Sequence, residues 1–79
     1  MNQINIIGIV KEYCNKNGVI CFDLVTDSLL FHCELPEYKW YYPENGDTVM
    51  ISGELVRIGS LIVKADYLTK LSSKLDKKF

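Results

Sequence analysis

Residues 47–71 read DTVMISGELVRIGSLIVKADYLTKL. Val49, Ile51, Gly53 and Leu55 fall on one side of an extended chain, and Met50, Ser52, Glu54 and Val56 on the other. Alternation with period two is the mark of a strand with one buried face. Ile58-Gly59-Ser60 has the composition of a tight turn, and Leu61 to about Leu71 forms a second strand, so the stretch predicts a β-hairpin.

Moving toward the N-terminus, residues 36–46 read PEYKWYYPENG, with two prolines and four aromatics. This is a connection with room for one helical turn between the prolines. Leu29 to Leu35 alternates again, with Leu29, Phe31, Cys33 and Leu35 opposite Leu30, His32 and Glu34. Thr26-Asp27-Ser28 is a short polar turn. Val19 to Val25 is rich in β-branched and aromatic residues and puts Ile20, Phe22 and Leu24 on a buried face. Asn15-Lys16-Asn17-Gly18 precedes it, and Asn-Gly is the strongest short hairpin signal because both residues tolerate positive φ. In the opening strand Ile4, Ile6, Gly8 and Val10 alternate with Asn5, Ile7, Ile9 and Lys11. Both sets are largely apolar, which predicts cover on both faces over part of the strand. Gly8 in mid-strand predicts a bulge or bend.

Five strands result: a meander of three, an irregular crossing, then a hairpin. No segment has helical periodicity. An open sheet of this size leaves two edges and a bare face, and closure removes both problems. The expected fold is all-β, a small five-stranded barrel. Seventy-nine residues hold one domain, placed at residues 1–71, with a short basic tail at 72–79 that frays.

Composition narrows the function. With 48% hydrophobic and 24% charged residues the chain is no disordered polymer. A net charge of −1 excludes a strongly basic nucleic-acid binder and leaves room only for a local basic patch. The longest uncharged stretch, Met1 to Val10, contains Asn2, Gln3 and Asn5. It is too short and polar for a membrane span and lacks the parts of a signal peptide. The expected location is cytoplasmic, with no membrane partner. Cys14, Cys21 and Cys33 are odd in number and form no CxxC pair, so they read as reduced strand cysteines rather than a disulfide framework or a zinc site. His32 and Cys33 are strand neighbours and point to opposite faces, so they make no nucleophile–base pair. No catalytic residue, metal or cofactor is expected, and the chain does not read as an enzyme.

Four segments carry a resemblance. INIIGIV (4–10), VICFDLVT (19–26), NGDTVMISGEL (45–55) and LIVKADYLTKL (61–71) resemble strands of the bacterial single-stranded-DNA-binding proteins, a group to which primosomal replication protein B also belongs. The likeness spans roughly residues 3 to 71. It implies the oligonucleotide/oligosaccharide-binding (OB) fold. It also implies non-sequence-specific binding of single-stranded DNA, with RNA as the alternative, in replication or recombination, as in a phage, plasmid or other mobile element. A homo-oligomer, dimer or tetramer, through the first strand is implied as well, and would cover Ile7 and Ile9. Replication proteins are possible partners on the same footing. Three departures qualify the likeness. The loops NKNG, TDS and IGS are minimal, the segment between the second and third strands is short, and the ending Asp76-Lys77-Lys78-Phe79 replaces the family's acidic tip. A short footprint without tail-mediated recruitment follows.

Single-strand binding needs flat side chains for bases and cations for phosphates. Stacking is assigned to Tyr13, Trp40, Tyr41, Tyr42 and Phe31, and phosphate contact to Lys11, Lys39, Arg57 and Lys64. Phe31 is open at this level: alternation buries it, whereas the resemblance matches it to a stacking aromatic followed by His. The Trp40-Tyr41-Tyr42 cluster is either a lid over the barrel end or a binding surface. Lys11, Lys16, Arg57 and Lys64 fall on or beside strands one, four and five, where Lys11 and Arg57 either flank a groove or are solvated edge charges. The alternative function is a protein–protein interaction module that binds no nucleic acid. A positive stripe across the second, third and fifth strands favours the first reading. An apolar patch at residues 38 to 42 favours the second.

Overall fold

The first strand serves two neighbours, and that closes the sheet. In the computed structural model, which describes residues 3–36, 43–57, 59 and 61–72, β1 runs Gln3–Lys16. It is followed by β2 (Val19–Val25), β3 (Leu30–Pro36), β4 (Thr48–Arg57) and β5 (Ile62–Ser72). The first half of β1 pairs antiparallel with β4, from Gln3 opposite Glu54 to Ile9 opposite Thr48. Its second half pairs antiparallel with β2, from Ile9 opposite Val25 to Lys16 opposite Val19. The strands form a closed barrel in the order β1-β2-β3-β5-β4. Among the described residues only β3 and β5 run parallel, over His32–Glu34 against Ile62–Lys64.

The alternation read from the sequence fills this barrel. Val10, Ile20, Phe22, Leu24, Cys33, Leu35, Val49, Ile51 and Val63 are all buried to within 1% of complete. Each large aliphatic or aromatic side chain so placed contributes about 1.5–3 kcal/mol. Asn17 and Gly18 both have positive φ, 53° and 82°, and form the two-residue turn that Asn-Gly predicts.

The expectations need four adjustments. Gly8 marks no bulge, since the register with β4 is unbroken there. Its missing side chain instead admits the Val25 carbonyl, which would lie 2.7 Å from a Cβ. The bulge falls between Lys11 and Cys14, at Glu12, whose φ is 55°. One extra residue there carries β1 on to Lys16 and turns the following side chains to the opposite face. Leu29 belongs to the turn and not to the strand. Its N–H donates to Thr26 Oγ1 at 3.1 Å, the Thr26 N–H donates to its carbonyl at 2.9 Å, and its side chain is 50% exposed. In β5, register shifts fall beside Asp66 and Leu71. These account for burial at Ala65 and Leu68 while Leu71 is half exposed.

The end of the long connection is fastened to the β1 bulge. Gly46 N–H donates to the Val10 carbonyl at 2.8 Å, and Val10 N–H donates to the Asp47 carbonyl at 2.9 Å. Tyr13 N–H donates to Asn45 Oδ1 at 2.9 Å. Asp47 itself is buried, and its carboxylate accepts the Glu44 N–H at 3.0 Å. Among the described residues no helix is long and apolar enough to cross a membrane.

Candidate nucleic-acid interface

Side chains on the outer face of a barrel line up in rows that follow the register. One row reads Lys11, Asp23, His32, Ile62 and then the backbone position of Arg57. The next reads Cys14, Cys21, Glu34, Lys64 and Glu54. A third, above Lys11, is apolar: Ile9, Val25 and Leu30. These rows make up much of the described outer face of β1, β2, β3 and β5.

Within the first row, Asp23 and His32 touch. The Asp23 carboxylate and His32 Nδ1 are 3.0 Å apart on adjacent strands. The sequence pattern put Asp23 on the exposed face but not beside His32, because pairing across a hairpin needs the register. Once the Thr26–Leu29 turn is known, the pairing of Asp23 with His32 follows from counting back along both strands.

The described cations do not form a positive stripe. On β2 and β3 the outward charges are Asp23 and Glu34, and Lys64 on β5 stands between Glu34 and Glu54. Opposite charges side by side leave little net potential for steering. Lys11 and the backbone position of Arg57 lie beyond opposite ends of the β1–β4 ladder. The β1–β4 ladder runs seven register pairs, with Lys11 past its Ile9/Thr48 end and Arg57 past its Gln3/Glu54 end. The two residues are brought into one row only the long way round, across β2, β3 and β5. Lys11 and Lys64 are exposed; for Arg57 the described feature is its backbone position in β4.

Of the aromatic candidates, Tyr13 follows the bulge, half buried and packed against the core. Phe31 is an inner-face residue, 9% exposed and clustered with Val10, Leu24 and Cys33. It sits opposite Leu24, so the barrel interior claims it, and the stacking role is corrected to a core role. Lys39, Trp40, Tyr41 and Tyr42 lie outside the described residues. Tyr67 on β5 is an aromatic that the site assignment passed over. It is 51% exposed, because the neighbouring register shift displaces it from the simple alternation.

A shallow groove of about 430 Å³ opens where β3 and β5 part, lined by Val19, Glu34, Leu35, Pro36, Lys64, Ala65 and Asp66. Its floor is apolar and its rim carries two carboxylates and one ammonium. Among the described residues no three His, Cys, Asp or Glu side chains gather as a metal site. The thiols differ in character. Burial, aided by Asp23, pushes the Cys33 thiol up to about 12, so it stays protonated at neutral pH and behaves as a small apolar side chain. The Cys21 thiol is also raised, by burial first and then by Glu34 and Cys14, against the lowering pull of Lys16.

The comparisons with known proteins divide sharply between sequence and structure. No known protein family matches the chain, and no curated protein matches it in sequence. Among solved structures, a chain from "Structure and Conformational Change of a Replication Protein A Heterotrimer Bound to ssDNA" superposes with a TM-score of 0.76 at 8% identity. The match covers 96% of this chain and 62% of that one. The barrel is an OB fold. This OB domain spans less than two thirds of the neighbour's length, and at 8% identity the likeness is one of fold.

Proposed function

We propose that this OB domain binds single-stranded nucleic acid, DNA with RNA as the alternative, without strong sequence preference, in replication or recombination. The observation that carries the reading is the superposition of nearly the whole chain on a barrel from a complex with single-stranded DNA. Tyr13 with Trp40, Tyr41 and Tyr42 supplies faces for stacking, each worth about 1–3 kcal/mol per base. Lys11, Lys39, Arg57 and Lys64 meet phosphates. Asp23 and Glu34 on the β2–β3 face oppose them, so affinity is modest. With four phosphate contacts the log–log salt slope is no steeper than about −3.

The test is fluorescence anisotropy of labelled oligo-dT of about 15 and 35 nucleotides, the shorter near the upper end of the roughly 4–16 nucleotides that one OB domain covers and the longer beyond it. Trp40 emission is followed in the same titrations. Micromolar or tighter binding with tryptophan quenching and the stated salt slope is expected. Absence of binding at low salt sinks the proposal. A second reading, the protein-interaction module, has its own support in the acidic Asp23 and Glu34 and the apolar row Ile9, Val25 and Leu30. It takes over in that event.

The outer face of β1 supports self-association as well. Ile7 is 56% exposed and Ile9 38%, with Met50 opposite Ile7 on β4. A second copy laid across β1 would cover all three. Sedimentation equilibrium is expected to give a dimer or tetramer that Ile7→Lys shifts toward monomer. Wild-type monomer at millimolar concentration removes this part of the proposal.

A further inference from the structure

The bulge at Glu12 does more than bend β1. Before it, Val10 points into the barrel and Lys11 out; unbroken alternation would send Cys14 inward. The extra residue reverses that parity, and Cys14 comes to stand directly opposite Cys21. Cys21 lies between the buried Ile20 and Phe22 on β2 and therefore faces outward. Two cysteines from different strands thus share the outer surface as a register pair, both partly exposed and both free. The Asn17-Gly18 turn is only two residues long, and Lys16 opposite Val19 closes it, so the register cannot slip without opening the hairpin. Directly opposed residues in an antiparallel pair have Cα atoms about 4.5–5.5 Å apart, inside the roughly 4.4–6.8 Å span that a disulfide requires.

We propose that Cys14 and Cys21 form a reversible dithiol–disulfide pair that a small-molecule disulfide oxidises to a covalent cross-link between β1 and β2. The inference does not depend on the nucleic-acid reading. In the first step a Cys14 thiolate attacks one sulfur of the small disulfide, whose S–S bond breaks and releases one small thiolate. In the second, the Cys21 thiolate attacks the Cys14 sulfur of the mixed disulfide and expels the second small thiolate. The two protein thiol protons end on the two released thiols. The protein pair loses two electrons, and the small disulfide gains them. The carboxylate of Glu34 opposite Cys21 and the partial burial of Cys21 fit it to the second, resolving step, in which attack is intramolecular and needs less thiolate. Cys33 stands apart as an internal control. It is fully buried and opposes Phe22 on the inner face of the barrel.

The experiment incubates the folded protein with oxidised glutathione at neutral pH, measures intact mass, and maps the linkage by digestion. The expected product has lost two hydrogens, joins Cys14 to Cys21 alone, and reverts fully with dithiothreitol. Oxidation is expected to raise the thermal midpoint by about 5 °C or more, because the cross-link stabilises the folded hairpin relative to the open chain. Cys14→Ser and Cys21→Ser stop at a mixed disulfide with glutathione. The same reaction in denaturant serves as the reference. A pair preorganised by the fold gives an equilibrium constant for the cross-link about tenfold or more above that reference. Mixed disulfides that persist unresolved in the wild type, a bond to Cys33, or a cross-link no more favourable than in denaturant each overturn the proposal.

Discussion

Gly53→Ala is expected to lower the thermal unfolding midpoint by about 10–25 °C, to the edge of what the domain tolerates. Gly53 sits in β4 between two ladders, opposite Ile4 on β1 and Ala65 on β5. A Cβ built there would lie 2.3 Å from the Lys64 carbonyl oxygen and 2.6 Å from Ala65 Cα. Both are backbone atoms, so no rotamer change relieves the clash. β4 and β5 would have to separate at the place where the barrel closes. Overpacking of this kind costs about 3 kcal/mol or more. A chain of this length holds about 4–12 kcal/mol in total. Gly59→Ala is the control, since a Cβ there meets nothing within 4 Å and the change is expected to be near neutral. Circular dichroism melts of the two variants against wild type make the comparison. A Gly53→Ala midpoint within 2–3 °C of wild type, a fall of well under about 1 kcal/mol, would mean that β4 and β5 do not approach as closely as this barrel requires.

The register shifts separate what the sequence discloses from what it hides. Where alternation is unbroken, the inner face is legible residue by residue: Ile20, Phe22 and Leu24 on β2, Cys33 and Leu35 on β3, Val49 and Ile51 on β4 all lie where period two puts them. The Asn17-Gly18 turn is legible for the same local reason. The β1 bulge is not. Its pivot has φ 55°, a conformation for which glycine is the usual marker, and the residue there is Glu12. Leu61, with φ 51°, hides the start of β5 in the same way. Because a bulge reverses parity, missing it misplaces every side chain beyond it: counting back from the Asn17-Gly18 turn pairs Cys14 with Cys21, but alternation carried on from Val10 would send Cys14 inward. Phe31 is a different case. Alternation put it on the inner face, the family resemblance offered it a surface role, and the barrel follows the alternation. The cations were visible singly, but their interleaving with Asp23, Glu34 and Glu54 depends on which strands are neighbours. That is a property of the β3–β5 parallel pair and of no local stretch.

Asp47 carries the second large expected effect. Within Asn45-Gly46-Asp47 it reads as one more polar turn residue, yet it is 1% exposed. Burying a carboxylate without partners is prohibitive, so its surroundings must satisfy it, and the geometry says how. The carboxylate accepts the Glu44 N–H, the Asp47 N–H donates to the Glu44 carbonyl, and its own carbonyl accepts the Val10 N–H. The side chain therefore locks a short turn whose backbone is laced to β1 immediately before the bulge. Asp47→Ala leaves the Glu44 N–H without its acceptor and removes a carboxylate from a buried position. A loss of about 2–3 kcal/mol is expected, read as a fall of about 8–24 °C in midpoint. Asp47→Asn keeps one acceptor oxygen and is expected to lose about half as much. Equal losses in the two variants would assign the effect to the charge and not to the hydrogen bond to Glu44. The turn also meets Tyr13 through Asn45. If the aromatic cluster and Tyr13 stack bases together, Asp47→Ala weakens oligo-dT binding by about tenfold even at temperatures where the variant is fully folded, since roughly one base's stacking energy is at stake. Wild-type affinity in the folded variant would separate the turn's structural role from binding, and would remove Tyr13 from the interface.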